Sequence, residues 1–366
     1  MRHLPTHAHV VIVGAGQAGL SVAYFLKRFQ LEPGVDFIVL DRGPTTGGAW
    51  QHRWEALTLG SAHRVADLPG MSELGLSFES ADHHRPAKQV VEDYYRAYEE
   101  HYGFHVFRPV EVMSVFNRGA DLVVNARVPD EHDPDYREEV VTRLVVNASG
   151  TWHTPFVPYV PGIRDFAGEQ FTTNTYVSAE HFRDKSVVVV GGGTSAIGFL
   201  LELEGIAARL AWATRRPVEF NDDEKLSMEG GVRAVAEQDA AARAGAPLPS
   251  IVHGTGVAKT RRIAAGIERG VLVERPMFTR IEADGVRWPD DSFTQADAII
   301  WATGFRPELR HLAPLRLHNI GGGVTVENGA VASDPRIFLA GYGPQASTIG
   351  ASRAGRAVAR QVIAAL

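Results

Sequence analysis

Two stretches of the chain repeat one pattern: a short β-branched run, a glycine-rich turn, then apolar residues returning at helical spacing. Val10-Val11-Ile12-Val13 leads into Gly14-Ala15-Gly16-Gln17-Ala18-Gly19, after which Leu20, Ala23, Tyr24 and Leu26 recur on one face towards Phe29. An unbroken apolar run bounded by glycine predicts a buried strand, and the three-to-four-residue recurrence predicts a helix packed on it. A second strand over Asp36 to Leu40 ends in Asp41. The pattern begins again at Ser186, with Val187 to Val190, the turn Gly191-Gly192-Gly193-Thr194-Ser195-Ala196, a helix over Ile197 to Leu203, and a strand over Arg209 to Ala213 ending in Thr214-Arg215-Arg216.

Between the two units, Lys88 to Tyr102 predicts a helix carrying Val91, Tyr94, Tyr95, Tyr98 and Tyr102 near one face. The alternating runs Phe104 to Pro109, Glu111 to Phe116, Asp121 to Val128 and Glu139 to Val146 predict a small antiparallel meander inserted in the first unit. Pro155, Pro158, Pro161 and Gly162 stiffen a linker where a domain boundary is placed. The polar, Ala-rich insertion Phe220 to Pro249 is read as a lid. The strand Ala298 to Trp301 and the segment Ile337 to Leu366 are read as a return to the first domain. One domain is therefore expected over 1–158 and 292–366, and a second over 159–291.

The length of 366 residues accommodates two such domains, and 45% hydrophobic with 22% charged residues is the balance of a globular protein. The absence of cysteine excludes a disulfide framework, a thiolate metal site, an iron–sulfur cluster and a dithiol redox couple. A net charge of -6 and a pI near 6.2 provide no footprint for nucleic acid. Met1 to His9 holds no apolar stretch of the kind a signal peptide needs, and no run of about 18 apolar residues occurs. A cytoplasmic protein without a membrane span is expected. The 15 histidines include no HExxH, and Pro5 lies between His3 and His7, so no metal site is expected.

Chemistry concentrates in the two turns. Gly14 permits a tight turn, Gly16 a close backbone approach to a pyrophosphate, and Gly19 close packing of helix on strand. With Gln17 and Ala18 opening the helix, unpaired N–H groups face the anion. Asp41, about 20 residues further on, suits the ribose hydroxyls of an adenosine, with Arg42 beside it. In the second turn, Gly191 and Gly193 play the same part, Thr194 and Ser195 cap the helix or donate to phosphate, and Ala196 replaces the third glycine. Aspartate at the end of the next strand would repel a 2′-phosphate, whereas Arg215 or Arg216 would pair with it, which points to NADPH. Solvated surface charge is the plainer role for such arginines. Two dinucleotides in one chain suggest a flavin that takes hydride from a nicotinamide.

Gly47-Gly48-Ala49-Trp50, Asn147-Ala148-Ser149-Gly150-Thr151-Trp152 and Ala302-Thr303-Gly304-Phe305-Arg306-Pro307, together with the two turns, resemble the two-dinucleotide flavoproteins, and most of all the class B flavin monooxygenases. That resemblance covers nearly the whole chain. It implies an α/β fold of two Rossmann-like domains, the NADPH domain inserted in the FAD domain, with a small antiparallel β element. FAD would be held by the first turn, Gly48 and Trp50, with Gly150, Thr303 and Gly304 on the strands joining the domains, and Gln345 and Thr348 at the final turn and helix facing the flavin pyrimidine.

Phe166-Ala167-Gly168-Glu169-Gln170-Phe171-Thr172-Thr173-Asn174-Thr175-Tyr176 matches the frame of the family's FxGxxxHxxx motif with Thr172 in place of histidine. Gly60 stands where many members carry a flavin-side asparagine, with Ser61 and His63 nearest in sequence as alternative donors. The implied activity is NADPH-driven oxygenation, through a C4a-peroxyflavin, of a small nucleophilic substrate at nitrogen or sulfur, with dioxygen as co-substrate. The two departures keep open an NADPH-dependent flavin reductase or oxidase, and a non-catalytic flavoprotein is a third reading. A homodimer is left open.

Overall fold

The computed structural model describes residues 3–62, 65–130, 132–221, 228–249, 256–346 and 348–366. The chain forms two compact units, one of Met1–Gly150, Ala236–Pro249 and Pro307–Leu366, the other of Thr151–Val235 and Ser250–Arg306.

In the first unit, β1 (His7–Val13) lies between β2 (Phe37–Leu40) and β6 (Arg137–Asn147) in a parallel arrangement extended by β3 (Val106–Phe107) on one side and by the strand Asp334–Leu339 on the other. Val10, Val11 and Ile12 are wholly buried. Both faces of β1 are covered, which is why its sequence is continuously apolar rather than alternating. One face carries α1 (Gln17–Arg28), α2 (Ala87–Tyr102) and the C-terminal helix Thr348–Ala365, whose Leu20, Tyr95, Tyr98, Val358 and Val362 share a core with Val10 and Ile12. The C-terminal helix crosses α1 so closely that a Cβ on Gly355 would lie 2.6 Å from Cβ of Ser21. The other face is covered by the antiparallel pair β4 (Glu111–Arg118) and β5 (Asp121–Arg127).

The expected meander is not a separate insert. Its last strand, β6, pairs antiparallel with β5 over residues 137–142 and parallel with β1 over residues 141–147. Eleven residues make it long enough to serve both.

In the second unit all five strands of the main sheet are parallel, in the order Glu274–Pro276, β9 (Arg209–Thr214), β8 (Ser186–Val190), Ala298–Trp301 and β7 (Glu169–Thr172). The helix α3 (Thr194–Leu203) follows β8. Ala298–Trp301 was expected in the first domain; it instead pairs β8 on one edge and β7 on the other. Four consecutive buried apolar residues require such an interior position. The unit accordingly ends at Arg306 rather than near residue 292, and the stiff proline segment lies within its beginning. The segment read as a lid is divided as well: Ala242, near the end of α4 (Met228–Arg243), is buried in a core of the first unit with Leu317 and Tyr342, while residues 222–227 lie outside the described residues.

Candidate active site: two glycine turns and their supports

β1 leads into Gly14, whose φ of +102° suits glycine and whose Cβ, if present, would lie 2.5 Å from the Ala148 carbonyl oxygen. A Cβ on Gly19 would lie 1.9 Å from the Gly14 oxygen, so the packing role predicted for Gly19 is a hard steric limit. Gly16 and Gly48 lie against each other by their backbones: a Cβ on Gly48 would stand 2.6 Å from Cα of Gly16. Gly16 caps α1 without a side-chain hydrogen bond. The first N–H groups of that helix therefore have no intrahelical acceptor and form a smooth anion cradle, the geometry a pyrophosphate requires.

Asp41, at the end of β2, is buried and ties the turn to its own strand: Oδ2 accepts from Ala15 N at 2.6 Å and Oδ1 from Gly43 N at 2.8 Å. A carboxylate has about four acceptor sites, so two remain for a ribose diol. Behind it, Arg108 Nε stands 3.5 Å from Asp41 Oδ1, and the same guanidinium grips Glu99 through two bonds of 2.7 and 2.8 Å. Burial pushes the Glu99 carboxyl up, while burial lowers Arg108 and its bonds to Glu99 more than restore it. Neither residue was singled out from the sequence, although an acid on the buried, aromatic face of α2 was a signal.

The remaining first-unit candidates separate. Gln17 spends its side chain internally, donating to Ala66 O and Ser352 Oγ and accepting from the Tyr95 hydroxyl. Ala18 faces the Gly341 turn, where a Cβ on Gly341 would meet its Cβ at 3.2 Å. Arg42 is bonded to Glu111. Trp50 is buried beneath the Arg53 guanidinium, 5.4 Å from its ring centre, and burial lowers Arg53 to about 10. Gly60 donates its N–H to His83 O, and the hydroxyls of Ser61 and Thr58 bond to each other; His63 lies outside the described residues. Gln345 Oε1 is a buried acceptor with no hydrogen-bond partner among the described residues, in the turn before the helix that Thr348 opens. Gly150 has φ +70° with open space at its Cβ position, and its carbonyl accepts from Glu308 N.

In the second unit, a Cβ on Gly191 would approach the Ala302 oxygen to 2.2 Å, and the indole of buried Trp212 donates to the Gly191 carbonyl at 2.7 Å. Gly193 caps α3 with no side-chain bond, ahead of Thr194 and Ser195, while Ala196 is fully buried. Arg215 and Arg216 are exposed immediately beyond β9. A second cradle followed by two cations is the chemistry that fits a dinucleotide with a 2′-phosphate.

Thr303 and Gly304 pair with the segment Thr151–Phe156 inside this unit. The Thr303 hydroxyl donates to Phe156 O, Phe156 N to Gly304 O at 2.9 Å, and Trp152 stacks on Phe305. Thr172 serves this pairing too: its hydroxyl donates to Asn174 Oδ1 at 2.5 Å, and Asn174 Nδ2 to Trp152 O at 3.1 Å.

Two strand–glycine–helix cradles in one chain, the second followed by arginines, match the arrangement of a two-dinucleotide flavoprotein. The pyridine nucleotide-disulphide oxidoreductase family model matches residues 11–241. A flavin-containing monooxygenase from Stenotrophomonas maltophilia is 31% identical, with a TM-score of 0.78 over 98% of this chain and 99% of that one; a mutant flavin monooxygenase from the same organism gives 0.80 at the same identity and coverage. The senecionine N-oxygenase of Tyria jacobaeae is 22% identical over 81% of this chain and 58% of its own length. An uncharacterized oxidoreductase, CzcO, of Bacillus velezensis is 30% identical over 57% of this chain and 56% of its own. The chain thus spans little more than half the length of these last two.

The chain belongs to the pyridine nucleotide-disulphide oxidoreductase family, in its class B flavin monooxygenase group. It is a flavin-dependent oxidoreductase whose cofactors are FAD and NADPH. Among the described residues no helix is long and apolar enough to cross a membrane.

Proposed function

We propose that the protein uses NADPH and dioxygen to oxygenate a small substrate at a nucleophilic nitrogen or sulfur, yielding the oxygenated product, NADP and water. The observation that carries this reading is the pair of glycine cradles in a chain without cysteine: the hydride acceptor cannot pass its electrons to a protein dithiol. When bound, FAD supplies the chemistry, taking hydride from NADPH and delivering the electrons to dioxygen. The chain's part is to bind and orient. Gly14, Gly16 and the start of α1 hold the FAD pyrophosphate, Asp41 the adenosine ribose, Gly191 and Gly193 the NADPH pyrophosphate, and Arg215 or Arg216 its 2′-phosphate. Gln345 Oε1 offers a buried acceptor at the flavin end. The division of the chain into an FAD-binding and an NADPH-binding unit follows from these assignments.

A specific observation favours a second reading, that of an NADPH-dependent flavin reductase or oxidase. Gly60 has no side-chain amide, and Ser61 bonds within its own turn, so neither replaces the family's asparagine. The deciding experiment mixes NADPH-reduced holoenzyme with oxygenated buffer containing thioanisole or N,N-dimethylaniline. Sulfoxide or N-oxide close to stoichiometric with NADPH supports oxygenation; hydrogen peroxide alone, with either probe unchanged, supports the oxidase.

A further inference from the structure

The arginine turn after β9 is braced from behind by one carboxylate. Glu274, on the edge strand Glu274–Pro276, pairs in register with Trp212 of β9. Its Oε2 accepts from the Thr214 hydroxyl at 2.8 Å, and both oxygens lie 3.1 Å from the Val218 backbone N–H. Thr214 and Val218 are the two feet of the turn, and Arg215, Arg216 and Pro217 are its exposed tip. Val218 in turn reaches the glycine turn, its Cγ2 lying 3.2 Å from the position of a Cβ on Gly192. Residues 212 and 214 project to the same side of β9. One side of this strand therefore secures both ends of the nucleotide site, Trp212 the pyrophosphate turn and Thr214, through Glu274, the arginine turn.

We propose that Glu274 is the positioning residue for coenzyme preference, fixing the 214–218 turn so that Arg215 and Arg216 meet the 2′-phosphate without paying for their own ordering. This rests on the assignment of the 2′-phosphate to those arginines. An acid so near a phosphate would oppose binding if its charge faced the ligand. Here its acceptor sites are used on the turn itself, so the bonds rather than the charge perform the task. Glutamine keeps an acceptor for Val218 N–H and retains the brace; alanine removes it.

The test is anaerobic flavin reduction of the FAD-loaded enzyme by NADPH and by NADH, giving an apparent Kd for each. Glu274→Ala is expected to weaken NADPH about tenfold, the scale of a hydrogen bond to a charged group, with NADH changed less than about twofold. Glu274→Gln is expected to keep the preference within about twofold of the natural protein, and Glu274→Ala should add nothing in an Arg215→Ala, Arg216→Ala background. Equal weakening of both coenzymes, an unchanged preference in Glu274→Ala, or a glutamine variant that behaves like alanine overturns the proposal. The 2′-phosphate assignment fails separately, if Arg215→Ala, Arg216→Ala alone leaves the preference intact. Retained FAD and an unchanged response to NADH in Glu274→Ala show that the fold is preserved.

Discussion

His311 Nε2 donates to Asn147 Oδ1 across 2.9 Å in a buried site at the end of β6. The direction is fixed because Asn147 Nδ2 already donates to Glu308 O, leaving Oδ1 as the acceptor. Asn147 stands three residues before Gly150, and Ser149 Oγ also donates to Glu308 O, so this cluster shapes the strand end beside the first glycine turn. Burial lowers the imidazole from 6.5 to about 4.

The neutral ring is therefore the form the fold prefers. Its contribution, about 3 kcal/mol by linkage, is complete above the unfolded-state value near pH 6.5 and is lost as pH falls towards 4. His311→Gln can donate the same bond without titrating. The difference in unfolding temperature between pH 7 and pH 4.5 should be smaller in this variant; an identical difference would assign the acid sensitivity elsewhere.

Gly14→Ala and Gly191→Ala should separate the two cofactors. Each places a Cβ within 2.5 Å of a backbone carbonyl oxygen at positive φ. The first should purify with FAD occupancy reduced at least about tenfold; the second should keep FAD while its anaerobic reduction by NADPH slows by a similar factor. The flavin-to-protein absorbance ratio and stopped-flow reduction measure the two effects.

Replacing both Arg215 and Arg216 by alanine should weaken NADPH by about 100-fold, the loss of about two charge-assisted bonds to phosphate, with NADH nearly unaffected. The natural preference should also narrow as ionic strength rises, because both guanidinium groups are exposed.

Thr172→Val and Asn174→Ala each interrupt the path from Thr172 through Asn174 to the Trp152 carbonyl. Each should cost about 1 kcal/mol, and the double variant should cost little more than either single one. Additive losses in denaturant unfolding would mean that the two side chains act independently.

What the sequence revealed was whatever lies close along the chain. β1, its glycine turn and α1 are contiguous, so strand, turn and helix could be read from residues 10–29, and the second set from 187–203. Where strands pair could not be read in this way. The apolar run 298–301 is compatible with an interior place in either sheet, and only its pairing with β8 and β7 settles which one. The side-chain supports were hidden for the same reason. Asp41 is legible from its position after β2, but Arg108 reaches it from β3's exit and is itself held by Glu99 of α2; Glu274 lies some sixty residues beyond the turn it braces. Gln17 was placed with the cofactor because it begins α1, yet its amide joins Ala66, Ser352 and Tyr95, a role only tertiary contacts disclose.

The tight crossing of the C-terminal helix over α1 at Gly355 and Ser21 bears on how the molecule is made. During synthesis the strand Asp334–Leu339 and the helix Thr348–Ala365 emerge long after β1 and α1, with which they share a sheet and a core. The second unit's sheet, by contrast, is complete once Trp301 has left the ribosome. Under the proposed assignment of the two cradles, the unit given to NADPH completes its sheet first and the unit given to FAD only after the helix Thr348–Ala365 has been made, so ribosome-bound intermediates should acquire NADPH affinity before FAD affinity.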